Sequence, residues 1–270
     1  MADINNDGFS DIFVTEMLPE DESRLKTKTI FESWEKYNAN INAGYYKQFP
    51  RNVLQLNRGY TNKKGDVFMS EISRFSGVEA TDWSWGALIA DLDNDGLKDV
   101  FVANGIYKDL TDLDYINYYA DPSTTKKLIQ ERGHFLKKLI DSIPSNPIPN
   151  YAYKNNGDLT FTNQSIDWGF GCDSFSNGSA YGDLDNDGDL DLVINNVNMP
   201  SFIYRNNSET IVPENHFLIV QLEGKALNKN ALGAQVTAYC GDRKIFQELA
   251  PMRGYQSNVD NRLHFGLGKL

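Results

Sequence analysis

Short apolar runs of three or four residues recur along this chain, each just after an acidic turn: IFVT at 12–15, VFVA at 100–103 and LVIN at 192–195. A second set alternates apolar and polar positions before an Asn/Gly turn: RNVLQLNRG at 51–59, PNYAYKNNG at 149–157 and SFIYRNN at 201–207. Then come GDVFMSEIS (65–73) and GDLTFTNQS (157–165), and small-residue approaches SWGALIAD (84–91) and SNGSAYGD (176–183). Period-two alternation punctuated by turn residues predicts strands, and self-similarity at tens of residues predicts a repeat architecture. One unit reads strand, Asn/Gly turn, strand, loop, strand, Asp-rich turn, strand, which is an antiparallel blade. Residues 51–106 make one unit and 149–198 a second, with 1–15 the end of an earlier unit and 199–207 the start of a later one.

Two stretches break this pattern, expected as helical insertions over about 17–48 and 107–148. In the first, Leu25, Ile30, Phe31, Trp34 and Tyr37 fall near helical spacing. In the second, Asp121-Pro122 caps a predicted helix over 121–143. Leu128, Ile129, Arg132, Phe135, Leu136, Leu139, Ile140 and Ile143 follow a 3.6 period, and Pro144 and Pro147 end it. Both apolar stripes are expected to pack on the blades. Beyond 210, Phe217/Ile219/Gln221 alternate with Leu218/Val220/Leu222, and Val236/Ala238 and Ile245/Gln247 continue a strand pattern with Gly turns. A small β-sandwich-like module is expected over 211–270, after a repeat region over 1–210.

Charge changes the picture. The net charge is −11. The strings DINNDGFSD (3–11), DLDNDGLKD (91–99) and DLDNDGDLD (183–191) hold three, four and five Asp, twelve in all, and without them the balance is −11 + 12 = +1. Acidity is therefore local, which points to cation sites and away from a generally solvating acidic chain. No basic stripe marks a nucleic-acid partner. Two cysteines, Cys172 and Cys240, exclude a disulfide-stapled fold and are expected as buried thiols. Residues 1–20 carry no signal-peptide pattern, and no apolar run reaches the roughly 20 residues of a membrane span.

Crowded carboxylates repel, and a cation offsets the repulsion. Calcium takes six to eight oxygens, and a loop with oxygens at positions 1, 3 and 5, a carbonyl at 7 and Gly at 6 can wrap it. The expected ligands are Asp91, Asp93, Asp95, Asp99 and the carbonyl of Leu97. Their counterparts are Asp3, Asn5, Asp7, Asp11 and the carbonyl of Phe9, then Asp183, Asp185, Asp187, Asp189 and Asp191. A helix–loop–helix calcium hand would need Glu at position 12. Val14, Val102 and Ile194 stand there, and Asp at position 9 closes a shorter loop between strands. Magnesium rarely uses an all-protein cage, and an all-oxygen set with scattered His134, His216 and His264 does not suit zinc. Asn5 leaves the first loop one carboxylate short, so it is expected to be the weakest of up to three Ca2+ sites.

The DxDxDGxxD string followed by an apolar strand resembles the FG-GAP/VCBS repeats of integrin-α-type propellers, over about 1–207. That resemblance implies calcium ligands at the positions named. NHFLIVQLEGKALNKNALGAQVTAYCGD (215–242) and GYQSNVDNRLHFGLGK (254–269) resemble the ASPIC/UnbV domain, without its expected further strand. A full propeller needs four to eight blades. The fold expected is thus mainly β: a partial, open propeller with helical insertions and a truncated C-terminal module, from a fragment of a longer protein or a truncated gene.

No GxSxG, HExxH, CxxC or phosphate-loop motif is present. Trp83 and Trp85 are expected in the core between blades rather than stacked on a sugar. Asn163, Asn177 and Asn206 head N-x-S sequons, to which no glycan is assigned. The function expected is a non-enzymatic, calcium-stabilised scaffold binding a protein or glycan, extracellular, at the cell surface or periplasmic. The alternatives are part of a secreted polysaccharide-processing enzyme, or a purely structural segment of a surface protein.

Overall fold

A computed structural model describes residues 1–28, 34–60, 65–124, 126, 135–254 and 257–269. The chain is mainly β. Three antiparallel sheets follow one another. The first contains β1 (Ile12–Val14), β2 (Val53–Tyr60) and β3 (Val67–Glu71). The middle sheet contains β4 (Ser84–Ala90), β5 (Asp99–Asn104), β6 (Tyr151–Asn155) and β7 (Phe161–Asn163), in that order. The third contains β8 (Ser176–Gly182), β9 (Asp191–Asn196) and β10 (Phe202–Tyr204), with β9 central. Among the described residues no sheet closes into a barrel and no ring forms.

The register corrects the phase of the repeat. The Asp-rich turn joins β4 to β5, and β5 pairs onward with β6, Val100 facing Tyr153. Each sheet therefore combines the end of one sequence unit with the start of the next. Boundaries at 51–106 and 149–198 cut through sheets, because a repeat fixes the period of a pattern but not where one sheet stops.

Apolar side chains alternate along the strands and fill two inter-sheet cores. Leu54, Leu56 and Val78 meet Ile89, Val100, Val102, Tyr153 and Phe161 between the first two sheets. Leu88, Phe101, Ala103 and Ala152 meet Phe170, Leu192 and Ile194 between the second and third. Among the described residues nothing comparable covers the far face of the third sheet, where Ile203 is 72% exposed.

The insertions depart from expectation. They contain α1 (Glu22–Thr27) and α2 (Trp34–Asn42), and later α4 (Leu113–Ala120) and α5 (Phe135–Asp141); α3 (Ser73–Ser76) is a single turn after β3. α4 was not foreseen. Asp121 does cap the following turn, accepting from the Thr124 N–H at 2.8 Å. Ile30, Phe31, Leu128, Ile129, Arg132 and His134 lie outside the described residues. Of the described stripe residues, Trp34, Leu136 and Ile140 are exposed and Ile143 is buried; neither α2 nor the unforeseen α4 contains a buried residue. The insertions are tied down by charge. Buried Lys28 meets Asp109 at 2.8 Å and Asp112 at 3.0 Å, and Arg24 pairs with Asp82. Trp85 is likewise half-exposed rather than core, its indole N–H donating to the Gly105 carbonyl. Both cysteines are free thiols, but Cys172 is exposed and Cys240 only half-buried.

After a short turn, α6 (Ser208–Ile211), the C-terminal module begins. β11 (His216–Val220) pairs with β14 (Leu263–Gly268), and β12 (Gln235–Cys240) with β13 (Arg243–Glu248). Ile245, Leu249, Leu263 and Phe265 form its core. The two ladders are separate two-stranded units rather than two full sheets.

Candidate cation-binding loops

The three acidic strings fold alike. Position 4 is left-handed in each, with φ of 58° at Asn6, 60° at Asn94 and 61° at Asn186. Gly follows at position 6 with φ of 91°, 93° and 94°, a conformation L side chains resist. The last Asp ties each loop shut. One carboxylate oxygen accepts from the N–H of position 2: Asp11 from Ile4, Asp99 from Leu92 and Asp191 from Leu184, each at 2.9 Å. The other accepts from a backbone N–H in or just beyond the neighbouring strand: Asn57 at 2.7 Å, Asn155 at 2.9 Å and Asn206 at 2.8 Å.

Those three asparagines are the functional residues that motif reading passed over. Each side chain donates to the carbonyl at position 8 of its own loop, that is Ser10, Lys98 and Leu190. Asn155 also donates to the Ile4 carbonyl at 2.9 Å and Asn206 to that of Leu92 at 2.6 Å, so each reaches back to the preceding loop. Position 4 reaches forward: Asn6 donates to the Gly96 carbonyl at 2.9 Å and Asn94 to that of Gly188 at 3.4 Å. The loops are thereby stacked in one continuous network. The signal was present, since an Asn stands at the same place in all three quoted strings, but nothing local says which carbonyls it meets.

The acids converge unequally. Oxygens of Asp91, Asp93 and Asp99 lie within 4.8 Å of one another, as do those of Asp183, Asp185 and Asp191. Positions 1, 3 and 9 thus meet. Position 5 lies outside these groups: Asp95 accepts from the Leu97 N–H and pairs with Lys154 at 2.6 Å, and Asp187 pairs with Arg205 at 3.0 Å. Lys154 also holds Asp93, and Arg205 holds Asp185. Asp189 faces the middle loop, accepting from the Asn94 side chain at 2.7 Å and from the Glu209 N–H at 2.6 Å. It gathers with Asp187 and Glu209, a residue no motif indicated. In the first loop Asn5 donates to Asp7 at 3.0 Å, and Asp3, Asp7 and Asp11 form no such three-acid group. Phe9 stacks edge-on against Tyr60.

Burial decides the electrostatics. Asp91 is 5% exposed and Asp99 fully buried. Burial, then the Asp95 and Asp93 charges, push Asp91 up to about 8. Burial, then Asp93 and Asp91, hold Asp99 well above the ordinary carboxylate range. Burial raises Asp11 to about 6 and Asp189 to about 7. One oxygen of Asp91 and one of Asp183 are buried with no hydrogen-bond partner. An orphaned carboxylate oxygen is costly. A hard cation bound by these oxygens would remove that cost, so the residues present fit one.

The C-terminal module sits on the middle loop. The Gly268 N–H donates to the Asn94 carbonyl at 2.8 Å, the Asn215 side chain to that of Asp93 at 2.8 Å, and Arg243 to that of Asp95 at 3.2 Å. A Cβ at Gly266 would strike the Asp91 carboxylate and the Asn94 backbone, so only glycine fits this approach. A cavity of about 370 Å³ remains between Asp3, Asp91, Lys98 and the module residues Leu249, Arg253 and His264.

No curated protein matches the chain. Residues 224–270 match the family model described as ASPIC and UnbV. The strands β13 and β14 that meet the acidic loop therefore lie, with β12, in a segment similar to that family.

Proposed function

We propose that the three sheets are successive blades of an incomplete FG-GAP/VCBS-type propeller, and that the Asp loops bind calcium to hold them together. The observation that carries this reading is the pair of buried, partnerless oxygens on Asp91 and Asp183, each beside two further acids. Asp91, Asp93 and Asp99 would hold one ion, and Asp183, Asp185 and Asp191 another; Asp3, Asp7 and Asp11 would hold a third more weakly. The ion neutralises the crowded carboxylates and leaves the Asp99 and Asp191 ties in place.

Calcium here is structural, and the chain is a non-catalytic scaffold that presents its surface to a protein or glycan. Extracellular modules work at calcium affinities of about 10⁻⁴–10⁻³ M, which suits weak, partly open loops such as the first. That favours a place outside the cytoplasm. No helix among the described residues is long and apolar enough to cross a membrane.

Thermal unfolding in excess EDTA, in millimolar calcium and in millimolar magnesium tests the reading. A ligand bound only by the folded state stabilises by about 2.7 kcal/mol at a hundred times its Kd. A calcium-specific rise in Tm is the expected result. Equal Tm in all three solutions would remove the metal and, with it, the scaffold reading.

A further inference from the structure

Among the described residues the middle sheet has four strands and the third only three, and a cavity lies at the seat of the missing strand. Registers align the two. β5 pairs with β6 so that Val100 faces Tyr153, and β9 pairs with β10 so that Leu192 faces Tyr204. Tyr204 therefore stands where Tyr153 stands, Asn206 where Asn155 stands, and Ile203 where Ala152 stands. In the middle sheet β7 completes the edge, with Phe161 opposite Asn155. Phe161 is buried in one cluster with Ile4, Val78, Val100 and Tyr153.

In the third sheet the chain leaves β10 through α6, and among the described residues β10 remains an edge strand. A cavity of about 530 Å³ lies between it and the α6 turn, lined by Leu92, Phe170, Leu192, Tyr204, Trp168 and Asn206, with Ile211 and Val212 on the α6 side. Four of these match the walls around Phe161 one for one: Leu92 for Ile4, Phe170 for Val78, Leu192 for Val100, Tyr204 for Tyr153. The Val78 and Phe170 match is fixed by the turns that carry them, the Val78 N–H donating to the Ser73 carbonyl and the Phe170 N–H to that of Ser165. The edge is equally prepared. Ala152 turns its carbonyl to the Gln164 N–H at 2.8 Å and its own N–H to Ser165 at 2.9 Å, toward β7. By the same register Ile203 turns its N–H and carbonyl outward.

We infer that the third sheet binds an extended segment of a partner polypeptide, which pairs antiparallel with β10 and seats one aromatic residue, opposite Asn206, in this cavity. Strand addition of this kind draws affinity from main-chain hydrogen bonds and specificity from the pocket. The internal repeat supplies the stereochemistry: β7 occupies the identical position one sheet earlier. This inference is independent of whether the loops hold calcium.

The test uses the whole chain, isotopically labelled, and a synthetic peptide of its own fourth strand, Gly157–Ser165 (GDLTFTNQS). NMR titration should move the amides of Ile203 and Arg205 and the Trp168 indole, saturating below millimolar peptide. The peptide carrying Phe161→Ala should bind at least tenfold more weakly. Ile203→Pro in the protein, tolerable at a sheet edge, removes an outward donor and should abolish the shifts while leaving Tm within a few degrees. Absence of shifts at millimolar peptide would overturn the inference. So would shifts confined to β6 and β7, or equal binding by the Phe161→Ala peptide.

Discussion

The first and middle loops share the motif and the turn, yet differ in what surrounds them. The middle loop is walled by its neighbours on both sides and roofed by β14. Its Asp91 is buried with an orphaned oxygen and stands near 8. The first loop has Asn at position 3, no three-acid group and no roofing strand, and its most perturbed acid, Asp11, stands near 6. A carboxylate becomes a strong cation ligand when desolvation and like charge make its lone ionised state costly. The motif supplies the acids, and the packing supplies the cost.

Substituting the closing acids should expose this difference most. Asp99→Ala leaves the Leu92 and Asn155 N–H groups unpaired in the core. At about 1–3 kcal/mol for each buried unsatisfied group, the loss should be about 4 kcal/mol. It should also abolish most of the calcium-dependent Tm shift. Asp11→Ala should cost less and leave most of that shift, because the middle and third loops remain. Calcium titration by calorimetry of both variants checks the ranking, and an equal loss of calcium response would dissolve the distinction between the loops.

Gly266→Val attacks the roof. The added methyls collide with Asp91 and the Asn94 backbone, and overpacking of this kind costs about 1–3 kcal/mol. Hydrogen exchange should show faster opening at β14 and the middle loop, with the first loop unchanged.

The pH response sharpens the comparison further. Asp91 binds its proton more tightly folded than unfolded, since its folded value lies near 8 and its ordinary value near 4. Between those values the folded state holds the extra proton, so stability of the metal-free chain falls as pH rises. Denaturant melts in EDTA should therefore show higher stability at pH 5 than at pH 8. Asp91→Asn should reduce the fall across about pH 4 to 8, leaving the share of Asp99 and Asp189, whereas Asp11→Asn should flatten only the part below about 6. Calcium should bind more tightly as pH rises, releasing protons.

The smallest effect belongs to the stacking contacts. Asn6→Ala and Asn94→Ala each remove a hydrogen bond to the next loop's glycine carbonyl. Each should cost about 1 kcal/mol. Asn94→Ala should cost more, because that side chain also holds Asp189. Chemical denaturation of the two single variants and the double variant would detect coupling along the stack.

Sequence by itself determined the strands, the three acidic turns and the C-terminal strand pattern. Those features are local: period-two alternation, Asn and Gly where φ must be positive, and acids at fixed spacing. Only the tertiary structure decided where one sheet ends and the next begins, since β5 chooses β6 across a long insertion. It alone turned Asp95 and Asp187 toward Lys154 and Arg205, recruited Asn57, Asn155 and Asn206 as ties, and set β14 over the middle loop. It also left Trp34, Leu136 and Ile140 exposed, and set charge pairs at Arg24 and Lys28 between the two insertions and the sheets. The reason is range. Turn chemistry is settled by a few neighbouring dihedrals, whereas burial, and with it proton and cation affinity, depends on segments more than a hundred residues apart.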